Sequence, residues 1–129
     1  MQWSGSDGAG FTAPGVRPWL PFGDAAACNV ADQRDDPGSV LHLCRDLIAL
    51  RRSRPELQSG SYRTLPTPAG AWAWRRGETV TAAVNLSGEE VRIPDVIGRI
   101  AVATDRARDG EAVDRELWLG PWSGAIVTA

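Results

Sequence analysis

From Gly60 onward the chain reads as short β-type runs separated by turn residues, and this pattern constrains its fold more than any other feature. The runs fall near Tyr62–Leu65, Ala71–Arg75, Thr79–Leu86, Glu89–Ile93, Arg99–Thr104, Glu116–Leu119 and Ala125–Thr128. Arg76-Gly77-Glu78, Ser87-Gly88 and Asp109-Gly110 supply three hairpin-like turns between them. Strands that close on themselves through tight turns are antiparallel, and several in succession bury their apolar faces best as two packed layers. The predicted fold class is therefore mainly β, an antiparallel β-sandwich domain over residues 59–129.

Ahead of it lies one predicted amphipathic helix. Asp36 is placed to accept from free backbone N–H groups as N-cap, and Pro37 at the first helical position loses nothing by lacking its own. The helix is expected to run from 37 to about 53, where Pro55 ends it. Val40, Leu41, Cys44, Leu47, Ile48 and Ala49 or Leu50 recur at three- and four-residue spacing, giving one stripe expected to be buried, with Cys44 in it. Burying six aliphatic side chains here is worth on the order of 10 kcal/mol, so something is expected to cover that face. The cluster Arg51, Arg52 and Arg54 falls at the helix C-terminus, where cations complement the dipole. Residues 1–36 show neither helical nor strand periodicity; they carry many Gly and Pro together with Trp3, Phe11, Trp19, Leu20 and Phe22. That is too apolar for a disordered tail, and predicts an irregular segment that lies on a supporting surface.

Several motifs of this half occur in a recognisable order: Met1-Gln2-Trp3, Gly10-Phe11-Thr12, Pro18-Trp19-Leu20-Pro21, Asn29-Val30, Asp36-Pro37, Ser39-Val40-Leu41, Leu47-Ile48-Ala49-Leu50-Arg51, Pro55, Leu57 and Gly60. The series resembles the loop after the eighth barrel strand, and the helix that follows, in α-glucosidases of the α-amylase superfamily, glycoside hydrolase family 13, of the oligo-1,6-glucosidase/α-glucosidase type. The closing Leu117-Trp118-Leu119-Gly120-Pro121-Trp122 resembles the last strand of the β-domain that follows the family's barrel. The chain departs from the family at Ser4, where an acidic residue is frequent, and between Pro21 and Asn29. The resemblance implies a C-terminal fragment: residues 1–58 as the last loop and helix of a (β/α)8 barrel, residues 59–129 as the C-terminal β-domain. It implies a parent enzyme that hydrolyses α-glucosidic bonds with retention. It also implies that the nucleophile, the acid/base and the third carboxylate belong to earlier barrel strands. The partner is then the missing catalytic barrel, with oligosaccharide reached only through it, and the exposed helix face is a candidate for self-association.

Length agrees with that implication, since a (β/α)8 barrel takes about 250 residues and this chain has 129. Fourteen Arg and no Lys against 16 carboxylates give a net charge of −2, which offers nucleic acid no electrostatic attraction. No apolar run approaches the ~20 residues of a membrane span, and the first residues lack a secretory pattern, so a cytoplasmic address is expected. Cys28 and Cys44 match no metal-ligand spacing and read as reduced thiols, at least one of them in the core; no metal or cofactor is expected.

Glycoside hydrolysis generally needs two carboxylates flanking the scissile bond, about 5–5.5 Å apart for retention. Asp35-Asp36, Glu89-Glu90 and Glu111 with Asp114 are neighbours, but they read as a helix cap, a strand edge and a charged loop. No catalytic residue is assigned. Gln2 and Trp3 are the candidate substrate-facing pair, an amide beside a flat aromatic, against a plain loop-packing role. Trp72 and Trp74, two apart on a strand, share one face, either as a sugar platform or as part of a core or domain interface. His42 has no nucleophile to serve, and Asn85-Leu86-Ser87 reads as a strand end entering a turn rather than a glycan acceptor. The alternatives to a structural fragment are a non-catalytic carbohydrate-binding domain and a β-domain that docks on a separate barrel.

Overall fold

The computed structural model describes residues 2–129, and its backbone divides into two compact units, Met1–Cys44 and Arg45–Ala129.

The first unit is irregular but tied down by its backbone. Gln2 forms a parallel bridge with Asn29. The Gln2 carbonyl accepts from the Val30 N–H at 2.9 Å and the Trp3 carbonyl from the Ala31 N–H at 3.1 Å. A 3-10 turn at Asp7–Gly10 lets the Ala9 carbonyl accept from the Trp3 N–H at 3.0 Å. Helix α1 (Val30–Asp35) departs from the irregular segment expected there, and Asn29 is its N-cap. Asn29 is buried, its Oδ1 accepts from the Asp32 N–H at 3.0 Å, and its Nδ2 donates to the Ala25 carbonyl at 2.9 Å.

Helix α2 (Val40–Ser53) starts later than expected. Asp36 is the C-cap of α1, and its carboxylate accepts from the Gly38 N–H at 2.8 Å, holding Pro37 in a turn between the helices. The free N–H groups of α2 are met by two other side chains: Gln33 Oε1 accepts from Leu41 at 3.0 Å and Ser39 Oγ from His42 at 3.3 Å. The expected buried stripe is not buried, for none of the residues of α2 is. Val40 is 64% exposed and Ile48 51%, while Leu41, Leu43, Leu47 and Leu50 are half-buried. Cys44 is likewise exposed, which corrects its expected place in the core.

In the second unit, Pro55 both ends α2 and opens a short helix α3 (Pro55–Ser59). The strands are β1 (Tyr62–Leu65), β2 (Ala71–Arg76), β3 (Val80–Asn85), β4 (Val91–Pro94), β5 (Gly98–Ala103), β6 (Ala112–Val113), β7 (Glu116–Leu119) and β8 (Gly124–Thr128). They form a six-stranded sheet, β1-β2-β3-β8-β5-β6, and a two-stranded one, β4-β7, with every pairing antiparallel. Alternation selects what faces inward. Ala73, Ala83, Ile100, Ala125 and Val127 from the large sheet pack with Val91, Ile93, Leu117 and Leu119 from the small one. The small residues of β2 and β3 let the layers approach, while the branched residues opposite fill the space. This is the expected sandwich.

Two turns behave as read, and one does not. Gly77 closes the β2–β3 hairpin at a φ of +55°, a left-handed conformation that glycine adopts without a side-chain clash. The Asp109-Gly110 turn lies between the paired strands β5 and β6. Ser87-Gly88 is not a hairpin: it carries the chain from β3 in the large sheet to β4 in the small one. Asn85, 1% exposed, holds this crossing. Its Nδ2 donates to the carbonyls of Glu89 at 2.7 Å, Gly120 at 2.8 Å and Leu119 at 3.3 Å. Its Oδ1 accepts from the Ser87 N–H at 3.0 Å and Oγ at 2.7 Å. The amide that a glycan would need is thus occupied in the folded domain.

Candidate functional site

Gln2 and Trp3, the pair singled out in the sequence, are set by different parts of the first unit; Met1 beside them lies outside the described residues. The backbone bridge to Asn29 fixes Gln2, and its half-buried amide lies against Gly23. A Cβ built on Gly23 would stand 2.9 Å from Gln2 Nε2, so this amide occupies the space a side chain there would need. The Trp3 indole packs against Gly10 and is 55% exposed.

Gln2 instead lines an open cavity of about 480 Å3 with Phe11, Thr12, Trp19, Leu20 and Phe22. Phe11 and Phe22 stack with centroids 5.6 Å apart and planes 24° from parallel. Trp19 stands almost free in solvent at 95% exposure. Thr12 Oγ1 donates to the Val16 carbonyl at 3.1 Å, which closes the loop that carries Phe11. These aromatics, expected from the sequence to lie on a surface, border the same cavity as Gln2. Pro18 and Pro21, whose fixed φ stiffens the backbone on either side of Trp19-Leu20, are the available signal.

Trp72 and Trp74 do share a face of β2, on the side away from the core that Ala71 and Ala73 line. Their ring centroids lie 4.7 Å apart, the planes are tilted by 41°, and Trp72 is 47% exposed. The tilt brings the rings onto each other rather than into one plane.

Several carboxylates have structural partners. Asp46 and Asp109 flank Arg106 at 2.6 and 2.7 Å, joining α2 to the loop after β5. Glu111 pairs with Arg108 at 2.7 Å, Glu116 with Arg92 at 3.1 Å, and Glu56 accepts from the Thr79 hydroxyl at 2.7 Å. The hydrogen bond and charge of Arg108 hold the Glu111 carboxyl below its usual range. Glu56 is lowered as well, by its own backbone N–H first and by Thr79 second. Both shifts oppose the direction a general acid requires. A depressed carboxyl contributes stability above its unfolded pKa and loses it as pH falls through the folded one. For Glu111, with a side chain 44% exposed, the contribution is about 1 kcal/mol or less. Urea unfolding of Glu111→Gln should accordingly match the parent chain at acid pH and fall slightly below it at neutral pH. Among the described residues, no group of three or more His, Cys, Asp or Glu is placed to hold a metal ion, and no helix is long and apolar enough to cross a membrane.

No protein-family model matches the chain, but curated relatives do. It is 40% identical over 94 residues to trehalose-6-phosphate hydrolase of Escherichia coli K12, a match spanning 69% of the chain and 17% of that enzyme. It is 33% identical over 132 residues to the glucan 1,6-alpha-glucosidase of Streptococcus dysgalactiae subsp. equisimilis, spanning 98% of the chain and 24% of the enzyme. Among solved structures, trehalulose synthase MutB from Pseudomonas mesoacidophila MX-45 superposes with a TM-score of 0.84 at 30% identity, covering 98% of this chain and 24% of that one. The chain thus spans about a quarter or less of the length of these relatives. The order of motifs from Gln2-Trp3 to Gly60 and the antiparallel β-domain after it lead to the same place as these matches: the chain belongs to glycoside hydrolase family 13, the α-amylase superfamily, and corresponds to a partial C-terminal region of its α-glucosidase-type members.

Proposed function

We propose that this chain is the C-terminal part of an α-glucosidase acting on α-glucosidic bonds of short oligosaccharides, and that its own contribution is structural. The observation that carries this reading is the match itself, nearly the whole of this chain against about a quarter of each relative. The ion-paired and hydrogen-bonded state of Glu56, Asp46, Asp109, Glu111 and Glu116 is consistent with the second half. Catalysis then rests with a (β/α)8 barrel, the partner of this chain, and substrate is reached through that barrel. Val40 and Ile48 on α2 give the barrel an apolar face to cover, and the β-domain packs beside it. Two free, exposed thiols suit a reducing, cytoplasmic setting.

The test is turnover. The purified 129-residue chain should release no p-nitrophenol from p-nitrophenyl α-D-glucoside, and contaminant-free hydrolysis would overturn the proposal. Without its barrel the chain should also self-associate through α2. Sedimentation velocity should show a weight that rises with concentration and returns to the monomer in Ile48→Glu. A monomer at all concentrations would show that the α2 face needs no cover.

A further inference from the structure

We propose that one end of the β-sandwich carries a binding site for a small zwitterion, an α-amino acid with a short aliphatic side chain. The site lies wholly in the second unit and uses no residue of α2, so it requires neither barrel nor catalysis.

Its origin is an arginine on the inward side of a strand. Alternation along β2 turns Ala73 and Arg75 to the same side, and the register sets Arg75 against Thr81 of β3, which pairs in turn with Val127 of the core. The next inward pair along, Ala73 and Ala83, is aliphatic; here a guanidinium stands at the margin of the core. A charge in that place needs partners, and Arg75 has two neutral ones. Its Nε donates to the buried Thr81 hydroxyl at 3.4 Å and its Nη2 to the Asp95 carbonyl at 3.3 Å, both long bonds. The rest of its N–H donors are left for other acceptors. Glu78 and Asp95 border the same cavity, yet among the described residues neither they nor Arg75 form an ion pair. For Asp95 the backbone gives the reason: at a φ of +58° it is left-handed, and its carbonyl is the group that reaches Arg75.

One guanidinium and two carboxylates thus line a cavity of about 220 Å3 without neutralising one another. A plain anion would meet the carboxylates and a plain cation the guanidinium, so each part of the lining rejects what the other attracts. A zwitterion answers both. Its carboxylate has the shape to accept paired N–H bonds from a guanidinium, and its ammonium has donors for Glu78 and Asp95. The cavity is smaller than the roughly 300–1,000 Å3 of drug-sized sites, which limits the ligand to a few heavy atoms. Ile97, 63% exposed, borders it too and offers an aliphatic side chain an apolar surface to cover. The backbone on both sides is fixed before ligand arrives. Val96 is fully buried and its N–H donates to the Arg115 carbonyl at 3.2 Å, while the Ala129 N–H donates to the Thr79 carbonyl at 2.8 Å.

Saturation-transfer NMR with L-valine on the whole chain tests this. Saturable binding is expected in the millimolar range. Two analogues separate the charges: isovalerate lacks the ammonium and isobutylamine lacks the carboxylate, and each should bind about tenfold more weakly or worse, the equivalent of 1.4 kcal/mol. Arg75→Gln and Asp95→Asn should each weaken valine by a similar factor. Asparagine keeps both the left-handed backbone and the carbonyl that accepts from Arg75, so Asp95→Asn reads the carboxylate rather than the fold. Glu90→Gln, an exposed carboxylate outside the cavity, should leave the affinity unchanged. Circular dichroism should confirm that the variants fold like the parent; should Arg75→Gln not fold, Asp95→Asn and the two analogues decide alone. Absence of saturation by valine in the parent chain overturns the inference, as does valine affinity that survives Asp95→Asn or a folded Arg75→Gln. Isobutylamine binding as tightly as valine would make this a plain cation site, and isovalerate a plain anion site; either overturns it equally. None of these outcomes bears on turnover of an α-glucoside, so the inference and the structural reading fail separately.

Discussion

Replacing Asn85 by Asp should cost the β-domain on the order of 3–5 kcal/mol at neutral pH, the penalty of a buried charge with no partner. The change alters one atom, yet it inverts the hydrogen bonding. Nδ2 of Asn85 supplies its donors to the carbonyls of Glu89, Leu119 and Gly120. A carboxylate oxygen in that place would face three carbonyl oxygens with no proton to share. Only the Ser87 hydrogen bonds to Oδ1 would survive. Repulsion and burial both raise the pKa of such an aspartate above its unfolded value. The sign of the linkage follows: stability is retained below the unfolded pKa and lost as pH rises through the folded one. Urea midpoints should therefore converge with those of the parent chain toward pH 4 and separate steadily above it. A pH-independent difference would mean that the carbonyls had turned away and that Asn85 does not hold the crossing between the sheets.

Asn85 also shows what the sequence made legible and what it did not. Its position at the end of a strand was clear from the run Val80-Thr81-Ala82-Ala83-Val84. Its role was hidden, because Leu119 and Gly120 lie more than thirty residues on and a one-dimensional pattern carries no sign of which loops meet. The same limit explains Ser87-Gly88. A short polar pair between strands fits a hairpin equally well, and only the choice of sheet partner distinguishes them. Strand β6 escaped because two residues cannot display alternation. Helix α1 is too short at six residues to display a helical period, and only the Asn29–Asp32 spacing of a cap marks its start. Asp36-Pro37 resembled a helix start so closely that the true cap three residues later, Ser39, was passed over. The candidate site was only half legible. The aromatic residues of the first unit are apolar enough to need cover, but that they border one cavity with Gln2 depends on irregular backbone with no period to follow.

Leu117→Ala provides the sharpest test of how the two layers are held. Strand β7 belongs to a sheet of only two strands, and such a ribbon has little stability of its own. It is kept in place by what it buries: Leu117 and Leu119 are 0% and 1% exposed, opposite Val91 and Ile93 on β4. Removing Leu117 leaves a cavity between the layers, and a buried leucine cut to alanine costs about 2–5 kcal/mol. That is a large share of the ~5–15 kcal/mol by which domains are usually stable. The thermal midpoint should fall by on the order of 10 °C or more. The next residue supplies the control. Trp118 is the larger side chain, but it points outward, 48% exposed, with the Arg92 guanidinium 5.9 Å from its ring centroid. Its replacement by alanine gives up a partly solvated cation–π contact and some area, about 1 kcal/mol. The smaller residue should therefore matter more than the larger one beside it, because alternation along β7 decides which of them the core contains. If Trp118→Ala proved as costly as Leu117→Ala, the outer face of the small sheet would have to be covered in solution.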